Sequence, residues 1–331
     1  MQSVLAIPGA EITEPIVQVG TPARTVRGSE WVIVAFMAYA AGLALILPVA
    51  PNVRNLVVAL NLGVISTYSV LTHFDAGPRT LALSVIRDWL PFGVILLAYR
   101  EMGWFALPHQ GHTLEANWVA WDRLILRGGA KAAIEAFGPL VPSILEIAYA
   151  LVYALAPFSV AMLYLYRRRD QVDRFLFIFV VGVLLCYAQF PFWPSDPPRI
   201  VFFGQDVPSS DTIFRRFNWW MLGNYGIHTS VFPSAHVGAA FSAAFGMWKA
   251  LPKHKWVSRF LLVMALLIAV ATVYGRYHYV ADAAAGVVMA VVALLLGRMR
   301  GGRRSRWPAD SRGYRVGRLP QPVTGGMEHA A

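Results

Sequence analysis

Two histidines, an aspartate, a serine and two arginines fall in three short segments of this chain. The first segment runs from Pro191 to Arg199 and contains Trp193, Asp196, Pro197 and Pro198. The second is Phe232-Pro233-Ser234-Ala235-His236, and the third runs from Tyr274 to Asp282 through Arg276 and His278. His278 and Asp282 are four apart, so on a helix they share a face. An aspartate that accepts a hydrogen bond from one imidazole nitrogen fixes the tautomer and leaves the other nitrogen free to attack. Pro233 suits the first turn of a helix, where its missing N–H costs nothing. Ser234 and the free N–H groups of that turn can receive an anion. His236, one turn in, is placed to give or take a proton. Arg199 and Arg276 offer planar donor forks that match phosphate oxygens. Singly, the segments read as a structural His–Asp pair, a plain helix start and interfacial arginines. Their conjunction is what points to chemistry on an anionic group.

These residues are carried by long apolar runs. A bilayer core needs about 20 apolar residues in a helix. Eight runs qualify, near 31–50, 55–73, 81–99, 142–166, 174–193, 231–250, 257–276 and 279–297. The expected fold is an all-α polytopic membrane bundle of about eight transmembrane helices, six at the fewest. The third run contains Arg87 and Asp88. Adjacent helix positions do not face each other, so the pair is read as interfacial anchoring rather than a direct ion pair. The first run follows a stretch carrying Glu11, Glu14 and Glu30 and is long for a signal peptide, so it reads as a retained span. Three regions result: an N-terminal tail over 1–30, a membrane domain over 31–297 with its chemistry in 142–297, and a basic tail over 298–331.

Composition fits this. Hydrophobic residues make up 57% and charged residues 14% of the 331 residues, against about 25% charged in an ordinary soluble domain. That excludes a disordered chain, a soluble nucleic-acid binder and a disulfide scaffold. The net charge of +11 sits in loops and tails. Threading eight spans puts 19 basic residues on the side of the termini and 9 on the other, with Arg87 unassigned. The positive-inside rule makes the first side cytoplasmic. Both termini are then cytoplasmic, and all three segments lie on the outer face, with the plasma membrane as the expected location. Cys186 is the single cysteine, so there is neither an intrachain disulfide nor a cysteine-based metal site.

Residues 191–286 resemble the membrane-bound type 2 phosphatidic acid phosphatase superfamily, which shares its site with vanadium haloperoxidases. That family carries Lys-x6-Arg-Pro, Pro-Ser-Gly-His and Ser-Arg-x5-His-x3-Asp. Here Pro233-Ser234-Ala235-His236 corresponds to the second, with Ala for Gly, and His278-x3-Asp282 to the end of the third. Phe192 stands in place of the first motif's Lys, Ile200 in place of its Pro, and Thr272 in place of the third motif's Arg. Arg276 is the candidate substitute, one helical turn on. The Pro-Pro-Arg and Arg-Tyr-His-Tyr variants more closely resemble the branch containing inositol phosphorylceramide synthases, which transfer a phosphoryl headgroup between lipids.

The resemblance implies a phosphohistidine mechanism with His278, His236 and Asp282 as catalytic residues. His278 attacks phosphorus while Asp282 holds it. Arg199, Arg276 and N–H groups near Ser234 bind the phosphate oxygens. His236 protonates the leaving oxygen, then activates water or an acceptor hydroxyl. No metal and no cofactor are implied. The expected partners are a lipid phosphate or phospholipid and the surrounding membrane lipids, not nucleic acid. The activity expected is a lipid phosphatase or phosphotransferase. The alternatives are a headgroup phosphotransferase specifically, or a non-catalytic lipid-binding or carrier protein built on a decayed site.

The first half says less. Residues 112–141, with Trp118 and Trp121 among Asp122, Arg123 and Arg127, read as an amphipathic segment at the outer interface. Glu146, Tyr149 and Tyr153 share one face of the fourth run. A packed helix face with Glu146 at the lipid interface is the expectation there, and a headgroup pocket is the alternative.

Overall fold

The structure is a computed structural model. It describes residues 26–74, 80–105, 111–227, 229 and 231–302. The bulk of both expected tails, up to residue 25 and from residue 303, lies outside the described residues, as does Arg79. Among the described residues every regular element is helical. The helices are α1 (Gly28–Ile46), α2 (Pro51–Phe74), α3 (Thr80–Phe105), α4 (Thr113–Ile125), α5 (Lys131–Glu135), α6 (Leu140–Ala150), α7 (Val152–Leu165), α8 (Val172–Tyr187), α9 (Pro198–Val201), α10 (Ile213–Tyr225), α11 (Ala235–Ala250), α12 (Lys255–Tyr274) and α13 (Val280–Gly302).

Each of the eight apolar runs is built largely on helix. Five helices (α1, α2, α3, α12 and α13) are long and apolar enough to cross a membrane alone. The segments Thr113–Glu135 and Leu140–Ala150 qualify together as a sixth, bent by 107°. The fourth run is not one helix, because α6 and α7 meet at Leu151. α8 and α11, at 16 residues each, span about 24 Å at 1.5 Å per residue. Both are sheathed by neighbours: α11 packs against α8, α12 and α13, and α8 also packs against α1, α3 and α13.

In lipid, apolar area gives helices little reason to associate, and close backbone approach does more of the work. Gly286 on α13 shows it. A Cβ there would lie 2.5 Å from the Ser234 carbonyl and 3.1 Å from the Gly238 nitrogen. Only glycine lets α13 come this close to the start of α11. That approach sets the second and third segments side by side.

Arg87 and Asp88 meet partners at the ends of other spans: Arg27 and Glu30 where α1 begins, and Arg169 just before α8. Arg87 and Asp88 are both buried in α3. Arg87 donates Nε and Nη2 to the two oxygens of Glu30, each at 2.6 Å. Asp88 accepts from Tyr164 and from Arg169 at 2.8 Å, and is paired with Arg27. As expected, the two neighbours do not pair with each other. Asp173 receives the Gly28 and Ser29 amides, 3.2 and 2.9 Å away. Helix α1 thus begins three residues before the expected boundary at 31, and α13 runs on past 297 to Gly302.

Candidate active site

The site forms where α11 and α13 begin. Ser234 caps α11, its Oγ accepting the Val237 amide at 3.4 Å. Pro233 thus precedes the cap and does not occupy the first turn. The Ser234 amide donates to the Asp282 carbonyl at 2.9 Å, tying the two helix starts together. His236 is the second residue of α11. Its ring stacks on Tyr149 at 4.8 Å between centroids and meets Tyr153 edge-on at 5.8 Å. Its Nε2 is buried and has no protein partner.

His278 stands just before α13, so the His–Asp pair straddles a helix start instead of lying along a helix. Nδ1 of His278 is 3.3 Å from Oδ2 of Asp282. The same oxygen accepts the Tyr279 amide at 2.9 Å. A carboxylate three residues into a helix that reaches back to the capping amide is a recurrent N-terminal device. Here it fixes the carboxylate that holds the imidazole. Oδ1 of Asp282 has no protein partner. The His236 and His278 rings lie 5.8 Å apart.

Arg199, on α9, is fixed through its backbone and its guanidinium. Its amide donates to the Arg276 carbonyl at 3.1 Å, and its Nη1 donates to the Tyr277 carbonyl at 3.3 Å. Burial lowers its pKa against the pull of three nearby tyrosines. Burial, then the Arg199 charge, lower the His278 pKa to about 3, with a hydrogen bond to the Val231 backbone opposing. At neutral pH the imidazole is therefore uncharged and keeps a lone pair.

Arg276 is fully buried at a positive φ of 64°. Its Nη1 donates to Oδ2 of Asp122 at 2.7 Å, while Nε and Nη2 have no protein partner. Of the two places where the family's cations would stand, Phe192 is exposed. Thr272 is buried and bonds its own helix through the Ala269 carbonyl at 2.8 Å. The structure thus groups Ser234, His236, His278, Asp282 and Arg199, and turns one arm of Arg276 toward Asp122.

Glu146 is not at the lipid interface. It is buried, accepting from Arg215 at 3.2 Å, Asn218 at 2.7 Å and the Tyr277 hydroxyl at 2.6 Å. Tyr277 in turn stacks on Tyr149 at 4.2 Å. Glu146 and Tyr149 on the expected face are therefore packed, Tyr153 is half exposed, and both tyrosines contact His236. Beside His236 opens a cavity of about 130 Å³, walled largely by apolar side chains of α3, α7 and α8 such as Phe92, Ile95, Ala156 and Val183. The sequence does not single out Glu115 or Arg215, and Trp118 and Asp122 stand out in it only as parts of an amphipathic interfacial segment. The three residues of α4 share a spacing of three then four, which is the legible signal for one buried face.

Residues 130–296, just over half of the chain, match the family described as the PAP2 superfamily. A PA-phosphatase related-family protein of Dictyostelium discoideum is 39% identical over 66 residues, which cover 20% of this chain and 11% of that protein. The chain therefore matches only a small part of that relative's length. No solved structure matches.

Proposed function

We propose, because this chain belongs to the PAP2 superfamily, that it is an integral-membrane lipid phosphatase or phosphotransferase working through a phosphohistidine. The observation that carries this reading is the facing pair of histidines, 5.8 Å apart, with only one of them held by a carboxylate. That asymmetry gives the pair two jobs. His278, uncharged and oriented by Asp282, attacks phosphorus through its free nitrogen. Arg199, the two free nitrogens of Arg276 and the amides at the start of α11 take up charge on the equatorial oxygens. His236 protonates the leaving oxygen, then removes a proton from water or an acceptor hydroxyl, which cleaves the phosphohistidine. The chemistry rests on side chains and backbone amides and calls for no metal.

The apolar cavity beside His236 supports a lipid as the phosphate's carrier. The excess of basic residues beyond the far ends of the spans supports a site on the extracytoplasmic face. One observation favours the transferase reading: exposed Phe192 replaces a cation. A phosphodiester carries less charge than a monoester and needs fewer cations to bind it.

The test is purified protein offered phosphatidic acid, other lipid phosphates and phospholipids, each with and without diacylglycerol or ceramide. Phosphate release supports a phosphatase, and headgroup transfer to the acceptor supports a transferase. No turnover of any substrate, with no acid-labile phosphoprotein formed, rejects both.

A further inference from the structure

α4 lies before the region that matches the family, yet its inner face touches all three chemical segments. Glu115 accepts the Asp196 amide of the first at 3.1 Å. Trp118 stacks on Phe232 of the second at 5.1 Å and meets Tyr279 of the third at 5.6 Å. Asp122 accepts twice from the third: Arg276 Nη1 at 2.7 Å and the Val280 amide at 2.8 Å. Positions 115, 118 and 122 fall on one face of a helix. The opposite face exposes Trp121 and Leu124.

Buried carboxylates are costly to desolvate, and an interfacial helix could cover the site with apolar residues alone. Asp122 is fully buried, and both of its oxygens are committed to one loop. One oxygen holds the first amide of α13, the helix that carries Asp282. The other holds one arm of Arg276, leaving Nε and Nη2 free. A guanidinium gripped at one nitrogen keeps its plane fixed while its remaining donors serve an anion. We infer that Asp122 is a positioning residue: it aims the two free nitrogens of Arg276 at the phosphate during transfer and sets the register of the His278–Asp282 pair. This inference rests on the function proposed above.

A double-mutant cycle tests it, read in kcat and KM on phosphatidic acid in mixed micelles and in the rate of phosphohistidine formation. Asp122→Asn keeps an acceptor but loses the charge that grips Arg276. It should lower kcat about 10- to 100-fold with little rise in KM, because removing a negative charge does not weaken anion binding. Arg276→Gln should cost at least as much. The double variant should be no slower than Arg276→Gln, because the carboxylate acts through that guanidinium. Additive losses, or an Asp122→Asn enzyme with unchanged kcat, overturn the inference. If Asp122→Asn does not fold, the comparison of Arg276→Gln with the double variant still decides, since neither leaves Arg276 charged and unpaired. Unaltered protein without turnover would reject the parent function instead.

Discussion

Asp282 faces His278 with one oxygen while its backbone carbonyl receives the amide of Ser234. One residue thereby orients the proposed nucleophile and fixes the start of the helix that carries His236. The roles assigned to the histidines should separate under mutation. His278→Ala should abolish turnover and phosphoprotein, because it removes the imidazole that Asp282 orients opposite His236. Asp282→Asn should slow phosphoprotein formation by about 10²-fold or more through loss of the correct tautomer and charge. His236→Ala should still form phosphoprotein from a substrate whose leaving group needs no proton, and should fail to discharge it. Acid-quench labelling reads all three, and a fully active His278→Ala enzyme would remove the assignment.

Acid should not disarm the nucleophile in the usual histidine range. With its pKa lowered to about 3, His278 is deprotonated above that value and carries a proton only below it. Phosphoprotein formation from a phosphodiester, which itself does not titrate near neutrality, should stay flat from pH 7 to pH 5. Arg199→Gln removes a charge that lowers this pKa, so its acid limb should move upward. A wild-type limb centred near 6.5, the ordinary histidine value, would contradict the argument.

Chelators should leave activity intact, since arginines and amides stabilise the charge in the proposed mechanism. Vanadate should inhibit by bonding to His278 in a five-coordinate geometry like that of the transition state. Activity lost to chelator and restored by a divalent cation would defeat this reading.

Gly286→Ala should cost about 1–3 kcal/mol by overpacking, since its Cβ would crowd the Ser234 carbonyl. It should also lower kcat, because the two helix starts must move apart. Thermal denaturation and a rate measurement check the two effects separately. Normal stability with normal kcat would show that the close approach is dispensable.

The proposed orientation can be read by labelling. In a Cys186→Ala background, Ser209→Cys should react with an impermeant thiol reagent on intact cells. Lys253→Cys, in the loop between α11 and α12, should react only after permeabilisation. The opposite pattern would move the substrate to the inner leaflet.

How far the sequence could be read depended on distance along the chain. His278 and Asp282 are four apart, so their pairing was legible, as were the apolar runs that became helices. Where α11 and α13 begin was not, because the caps depend on contacts between the two helices. The ion pairs were also illegible. Arg276 meets Asp122 across 154 positions and Arg27 meets Asp88 across 61, and no local periodicity records such partners. Glu146 looked like a surface acid for the same reason: its three donors come from α10 and from the loop before α13.

The cluster around Arg87 and Asp88 bears on how the chain enters the bilayer. Glu30 leaves the ribosome 57 residues ahead of the arginine it will neutralise. Arg169, which binds Asp88, follows 81 residues behind that aspartate. Arg87 and Asp88 stand in the first third of α3, and charge within a span is costly to insert unless it is paired. α3 is therefore a poor passenger by itself and a better one beside α1. Arg27 and Glu30 both precede α3 and can neutralise Asp88 and Arg87 as they emerge. Arg169 adds a second partner for Asp88 once α7 is made. N-terminal truncations that remove residues up to 30 should therefore leave α3 exposed to quality-control proteolysis.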